Sequence, residues 1–217
     1  MPGTGRVLRA KSATIVPRAW RAGRRGRTVD AVPRPNRVQY PKMIVHVSAN
    51  ADGSDVLYRD ATDYQVFFRF LGRVAAHHDL EIHAWCAMTT HYHLLMTIPH
   101  GDLDRAMHRL NSRFAHWFND VHGEVGHRFR RRYTGVLVET DEHLRECYRY
   151  IAMNPVKAGI CARPEQWRWS SFAWLFGGHT WRIDLPSDEL HLLRQWGEGD
   201  DARRRLRAFV EASPHAA

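Results

Sequence analysis

The chain predicts an α+β fold of ferredoxin-like or RRM-like type. This is an antiparallel sheet with helices packed on one face, followed by a C-terminal helical extension. Two observations carry the prediction. Segments at 42–49, 81–88, 91–98 and 134–139 are rich in β-branched and aromatic residues, several with clean alternation, and read as strands. Apolar residues recur at helical spacing over 61–78 and 102–121, which gives the order β-α-β-β-α-β.

Composition bounds the rest. The 217 residues suffice for one well-buried domain with extensions. Cys86, Cys147 and Cys161 are widely spaced and form no CxxC pair. That pattern argues against a disulfide scaffold or a thiolate-held zinc and for a reducing cytoplasm. No apolar run approaches the roughly 18 residues of a membrane span. Residues 1–37 hold ten Lys/Arg against one acid, Asp30, which equals the whole formal charge of +9. The remaining 22 basic and 22 acidic residues cancel, so the basicity belongs to a tail and not to the folded part. Three segments follow: a disordered basic arm over 1–36, a domain over 37–176 and a helical extension over 177–217.

Each element has its own pattern. Lys42-Met-Ile-Val-His-Val-Ser-Ala49 has the β-branched content of a first strand. The next helix uses Tyr64, Phe67, Phe68, Leu71, Val74, Ala75 and His78. Over 81–88, alternation puts His83 and Trp85 on one face and Ile82, Ala84, Cys86 and Met88 on the other; His83 reads as a structural strand histidine, with a place near a metal as the alternative. Over 91–98, His91 and His93 project from one face while Tyr92, Leu94 and Met96 point to a core. A broad stripe of Leu103, Met107, Leu110, Phe114, Trp117, Phe118 and Val121 marks the second helix. After a Gly-rich turn, the run His127-Arg-Phe-Arg-Arg-Arg-Tyr133 interleaves cations with aromatics ahead of the last core strand. On an extended segment this suits a nucleic-acid backbone, and a solvated strand edge is the alternative. A third helix, capped by Thr140 or Asp141, runs to about Met153 with Leu144, Cys147, Tyr148 and Ile151 inward, and Pro155 bends or stops it. Trp167, Trp169, Phe172 and Trp174 pack a C-terminal helix onto the sheet, with one of them a candidate base-stacking ring. Two short amphipathic helices fit 188–212, the second through Leu206, Phe209 and Val210; they dock on this chain or on a partner.

Chemistry concentrates in two places. Two imidazoles on one strand face, His91 and His93, make half of a metal site, because each can offer a neutral nitrogen lone pair. A polar strand face is the plain alternative. Tyr150 lies off the apolar stripe of its helix, with Asn154 one turn below it. The amide oxygen of Asn154 can be a third ligand to a divalent cation held by His91 and His93. A mixed nitrogen/oxygen site with open positions suits Mg²⁺ or Mn²⁺. Tyr150 can then be a nucleophile, its phenolate stabilised by the cation and by the Arg130–Arg132 cluster; without those partners it is an exposed helix tyrosine.

These segments also resemble a family. His91-Tyr-His93-Leu-Leu95 is similar to the histidine-hydrophobe-histidine (HUH) signature of single-strand DNA endonucleases. Tyr150-Ile-Ala-Met-Asn-Pro-Val-Lys-Ala-Gly159 resembles the Tyr-Ile-x-x-Asn-Pro-Val-[RK]-Ala-Gly segment of the REP-associated tyrosine transposases, as do Gly126-His-Arg-Phe129 and Trp169-Ser-Ser171. The resemblance covers roughly residues 37–176. Two departures stand out: Met88-Thr-Thr90 replaces the usual Met-Pro-Asn, and His46-Val-Ser-Ala-Asn50 runs into Ala-Asp-Gly53 without the usual Arg-Gly.

The resemblance implies that Tyr150 attacks a phosphodiester in single-stranded DNA, often at the foot of a hairpin. The products are a 5′-phosphotyrosine and a free 3′-OH. It assigns the Mg²⁺ or Mn²⁺ to His91, His93 and Asn154. Arg128, Arg130, Arg131, Arg132 and Lys157 are the expected contacts to single-stranded or hairpin DNA. The expected setting is the cytoplasm, in association with the nucleoid, as a monomer or homodimer. The alternative on the same fold is a DNA-binding regulator with little or no turnover; a phosphodiesterase using water, with Tyr150 only positioning substrate, is a third possibility.

Overall fold

Strand β1 (Met43–Asn50) takes the middle of the sheet, and its alternation shows why: Met43, Val45, Val47 and Ala49 are buried while Ile44, His46 and Ser48 are only partly so. It pairs antiparallel with β3 (His91–Ile98) on one side and β4 (Thr134–Val138) on the other, and β2 (Glu81–Ala87) adds outside β3. The spatial order is β2-β3-β1-β4. The computed structural model describes residues 41–53, 55–178 and 193–212. The predicted basic arm, 1–36, lies outside the described residues.

Helices α1 (Ala61–His77) and α2 (Leu103–His122) cover one face of the sheet. The Asp60 carboxylate starts α1 by accepting from the amides of Thr62 and Asp63 at 2.7 and 3.2 Å. Phe67 of α1 meets the Tyr92 ring at 5.0 Å and Phe114 of α2 at 5.4 Å, and the Tyr92 hydroxyl donates to Asn111 Oδ1 at 2.7 Å. Buried aromatic packing of this kind supplies much of the stabilisation of such a layer. The opposite face carries His46, His91, His93 and Leu95, and α3 (Asp141–Lys157) lies against it.

Alternation failed within β2. The register to β3 shifts between Ile82 and Ala84, so His83 is the extra residue of a bulge. Ile82 and Trp85 therefore stand opposite Met96 and Leu94 and share their face, instead of lying on opposite faces. His83 is structural as expected, its Nε2 at 2.7 Å from Thr97 Oγ1. The outer edge of β2 is closed by Trp169-Ser-Ser171: Ala87 N–H donates to the Trp169 carbonyl at 3.0 Å and Trp85 N–H to Ser171 Oγ at 3.1 Å. Trp169 stacks on Tyr64 at 4.4 Å, and the Trp167 indole donates to the Ala87 carbonyl at 2.9 Å. Trp174 lies 6.1 Å from Trp85, so the aromatic cluster is committed to the fold. Helix α4 (Ser171–Phe176) follows directly.

Of the bend or stop expected at Pro155, the stop is not found, because α3 runs on to Lys157. Pro155 falls in the last turn, so it withholds the usual backbone donor from the Ile151 carbonyl, and the helix continues only two residues beyond it. The end is made two residues later: Ile160 N–H reaches the Pro155 carbonyl and Gly159 N–H the Val156 carbonyl, both at 2.9 Å, with Gly159 at φ 70°. This is a Schellman cap, and it explains the Ala-Gly that closes the motif. A Cβ at Gly159 would meet nothing within 4 Å, so Gly159→Ala carries only the left-handed backbone cost of about 1–2 kcal/mol. A fall in Tm of roughly 2–8 °C is expected by calorimetry.

The predicted first helix of 188–212 lies mostly outside the described residues. The second is α5 (Gly199–Glu211), and it docks on this chain. Arg149 of α3 donates from Nε to the Phe209 carbonyl at 3.0 Å and stacks over the Phe209 ring at 3.8 Å. Leu206 and Val210 close a small cavity with Tyr148 and Ala152.

Candidate active site

The site lies on the sheet face that α1 and α2 leave free. Register places His46 opposite Leu95 and His93 opposite Ser48, so the two histidines are diagonal neighbours on one face. The His46 Nε2 is 3.0 Å from His93 Nδ1. The His91 and His93 rings stand 5.1 Å apart and nearly perpendicular, and Thr90 Oγ1 is 3.1 Å from His91 Nδ1. Thr90 belongs to the altered Met88-Thr-Thr90 turn, which is tied down where Ala51 N–H donates to the Thr90 carbonyl and Leu57 N–H to that of Thr89, both at 2.8 Å.

Helix α3 brings the phenol to these rings. The Tyr150 ring lies edge-on, 5.3 Å from His93 and 5.7 Å from His46, and the residue is 43% exposed. Asn154, one turn later, donates from Nδ2 to the Tyr150 carbonyl at 3.0 Å, and its side chain hydrogen-bonds His91. Lys157 Nζ sits 5.3 Å from the centre of the Tyr150 ring. The apolar stripe of Leu144, Cys147, Tyr148 and Ile151 is buried, which turns the Tyr150–Asn154–Lys157 edge of the helix to the histidines.

Electrostatics favours neutral imidazoles. Burial, then the proximity of His143, lowers the His46 pKa to about 4. Burial, then His46 and His91, holds His93 well below the ordinary histidine value. Burial also lowers His91, with the Asn154 hydrogen bond opposing it. Neutral rings keep the lone pairs that a cation needs.

Of the residues expected from the sequence, Tyr150, His91, His93, Asn154 and Lys157 come together. Arg130, Arg131 and Arg132 are exposed on an irregular segment preceding β4, where the Arg130 amide donates to the Asn50 carbonyl at 3.1 Å, and Asn50 stands opposite His91. Arg128 departs from the expectation of a DNA contact. It is 4% exposed, its guanidinium lies 4.1 Å over the Phe118 ring, and Nη1 donates to the Val56 carbonyl at 3.1 Å. Asp55 and Glu124 flank it at 3.6 and 3.7 Å. Its charge is spent inside the protein, because only there can a guanidinium satisfy the loop carbonyl and cover an aromatic face together. His46 is the residue that sequence reasoning missed. Its signal was a histidine on the polar side of an alternating central strand.

The profile of the family described as "Transposase IS200 like" matches residues 45–154, just over half of the chain. The chain belongs to the IS200-like transposase family. The matched stretch opens one residue before His46 and ends on Asn154, so it encloses every converging side chain except Lys157. A REP-associated tyrosine transposase of Escherichia coli strain K12 is 26% identical over 117 residues, 51% of this chain and 66% of that protein. The chain thus spans just under two thirds of that relative's length. The solved structure of a REP-associated tyrosine transposase bound to a REP hairpin shares the fold, with a TM-score of 0.58 and 21% identity over 70% of this chain and 90% of that one. No helix among the described residues is long and apolar enough to cross a membrane.

Proposed function

We propose that this chain is a divalent-metal-dependent transposase or nickase of single-stranded DNA that cleaves and rejoins through a 5′-phosphotyrosine intermediate, at hairpins of the REP kind. The supporting observation is the convergence of an exposed phenol, two strand imidazoles and a helix amide from segments about 60 residues apart in the chain. In this reading the cation takes the Asn154 amide oxygen beside His91 and His93, and the Asn154 side chain already hydrogen-bonds His91. That nitrogen/oxygen set with open positions fits Mg²⁺ or Mn²⁺. When bound, the cation supplies charge stabilisation to the scissile phosphate and the departing 3′ oxygen.

The chain's own residues do the rest. The Tyr150 hydroxyl gives up its proton to water and attacks phosphorus, forming the Tyr150 O–P bond. The P–O3′ bond breaks, and the departing 3′ oxygen takes a proton. Attack by a 3′-OH on the phosphotyrosine reverses these steps and rejoins DNA. The Lys157 ammonium, 5.3 Å from the centre of the Tyr150 ring, is the cation that this reading sets beside the attacked phosphate. Arg130, Arg131 and Arg132, all exposed, and Lys157 are the side chains this reading assigns to the strand backbone.

A labelled hairpin oligonucleotide incubated with the full chain and Mn²⁺ is expected to give an SDS-stable protein–DNA adduct. EDTA added before the DNA is expected to prevent the adduct from forming and leave hairpin binding by gel shift within a few-fold. Binding with no adduct under any metal would overturn the catalytic proposal in favour of a DNA-binding regulator.

A further inference from the structure

We propose that His46 is a positioning residue that fixes the tautomer and ring orientation of His93, so that Nε2 of His93 is the nitrogen offered to the divalent cation. This rests on the metal-site reading above. The His46 Nε2 lies 3.0 Å from His93 Nδ1, across strands and 47 residues apart in sequence. An imidazole whose Nδ1–H donates keeps its lone pair on Nε2. His46 must then accept through Nε2 and carry its own proton on Nδ1.

The strand beneath gives the contact its stiffness. His46 sits in the middle of β1, with β3 paired on one side through Leu95 and β4 on the other through Val136. The backbone of His46 is thereby held on both edges, and its ring can swing only about its side-chain bonds. His93 is 6% exposed, so little solvent competes for Nδ1. The same logic is repeated for its partner, where Thr90 Oγ1 lies 3.1 Å from His91 Nδ1. Both candidate ligands are thus engaged at Nδ1 by another side chain. His46 also packs against the Tyr150 ring at 5.7 Å, so one ring bears on the orientation of both ligand and phenol.

The test titrates Mn²⁺ into the full chain by electron paramagnetic resonance, for wild type, His46→Phe, His46→Gln and His91→Ala. His46→Phe is expected to weaken Mn²⁺ binding 10- to 100-fold, the range found when such supporting partners are removed. His46→Gln is expected to recover binding to within about 3-fold, because its amide oxygen accepts from an N–H as an imidazole nitrogen does. Hairpin binding in EDTA is expected to stay unchanged in both. Mn²⁺ affinity in His46→Phe equal to wild type, or His46→Gln as weak as His46→Phe, would overturn the proposal. Should His46→Phe not fold, ¹⁵N imidazole spectra of the Mg²⁺-loaded wild type decide: Nδ1–H at His93 supports it, and Nε2–H overturns it. Wild-type affinity no better than that of His91→Ala removes the metal-site reading itself, and this inference with it.

Discussion

Tyr150→Phe is expected to form no covalent adduct with a labelled hairpin under conditions where the wild-type chain does. In the proposed mechanism the deleted oxygen is the one that bonds to phosphorus, and the other tyrosine of the helix, Tyr148, is buried, so the loss is expected to reach roughly four orders of magnitude or more. The fold should not notice. Tyr150 is 43% exposed, so removing its hydroxyl strands no buried polar group, and Tm should stay within about 1 °C of wild type. Hairpin affinity should likewise remain within a few-fold, because the ring that packs edge-on against His93 is still present. Three readouts on one variant therefore separate chemistry from folding and from binding. Nicking that survives at the wild-type rate would point to water as the attacking group, with Tyr150 only positioning substrate. An adduct that persists would place the nucleophile elsewhere on the chain.

Much of this arrangement was legible because two short periods carry it. The two-residue alternation of β3 puts His91 and His93 on one face without any knowledge of the sheet. The four-residue spacing of Tyr150 and Asn154, read against the stripe of Leu144, Cys147, Tyr148 and Ile151, puts both on the other side of their helix. What escaped depends on contacts between segments distant in sequence. His46 matters only through a register that sets it diagonal to His93, and register is not written in either strand alone. The bulge at His83 inserts one residue into an otherwise regular alternation, which moves Trp85 to the other face. Pro155 reads as a bend or a stop, and the Gly159 cap that ends the helix lies four residues beyond it. Arg128 sits in a run of cations and reads like its neighbours until Phe118 and the Val56 carbonyl are placed around it.

That last contrast yields a prediction that divides one basic run into two kinds of residue. Arg128→Met should destabilise the fold by roughly 2–3 kcal/mol. It leaves the Val56 carbonyl without its donor and replaces a planar cation over Phe118 with a flexible thioether. At this chain length the loss corresponds to a fall in Tm of about 4–12 °C by calorimetry. Any weakening of hairpin binding should vanish when the variant is assayed well below its own Tm. The triple change of Arg130, Arg131 and Arg132 to Ser should behave in the opposite way. These side chains are exposed, so Tm should move by less than about 1 °C. Hairpin binding should fall and its salt dependence flatten. The slope of log K against log salt should drop by about 0.7 for each single-strand phosphate that the variant no longer neutralises. If Arg128→Met instead keeps its stability and flattens the salt slope, that guanidinium reaches DNA after all. If the triple variant binds with an unchanged slope, the segment before β4 does not track the phosphate backbone, and the strand must enter the site from another side.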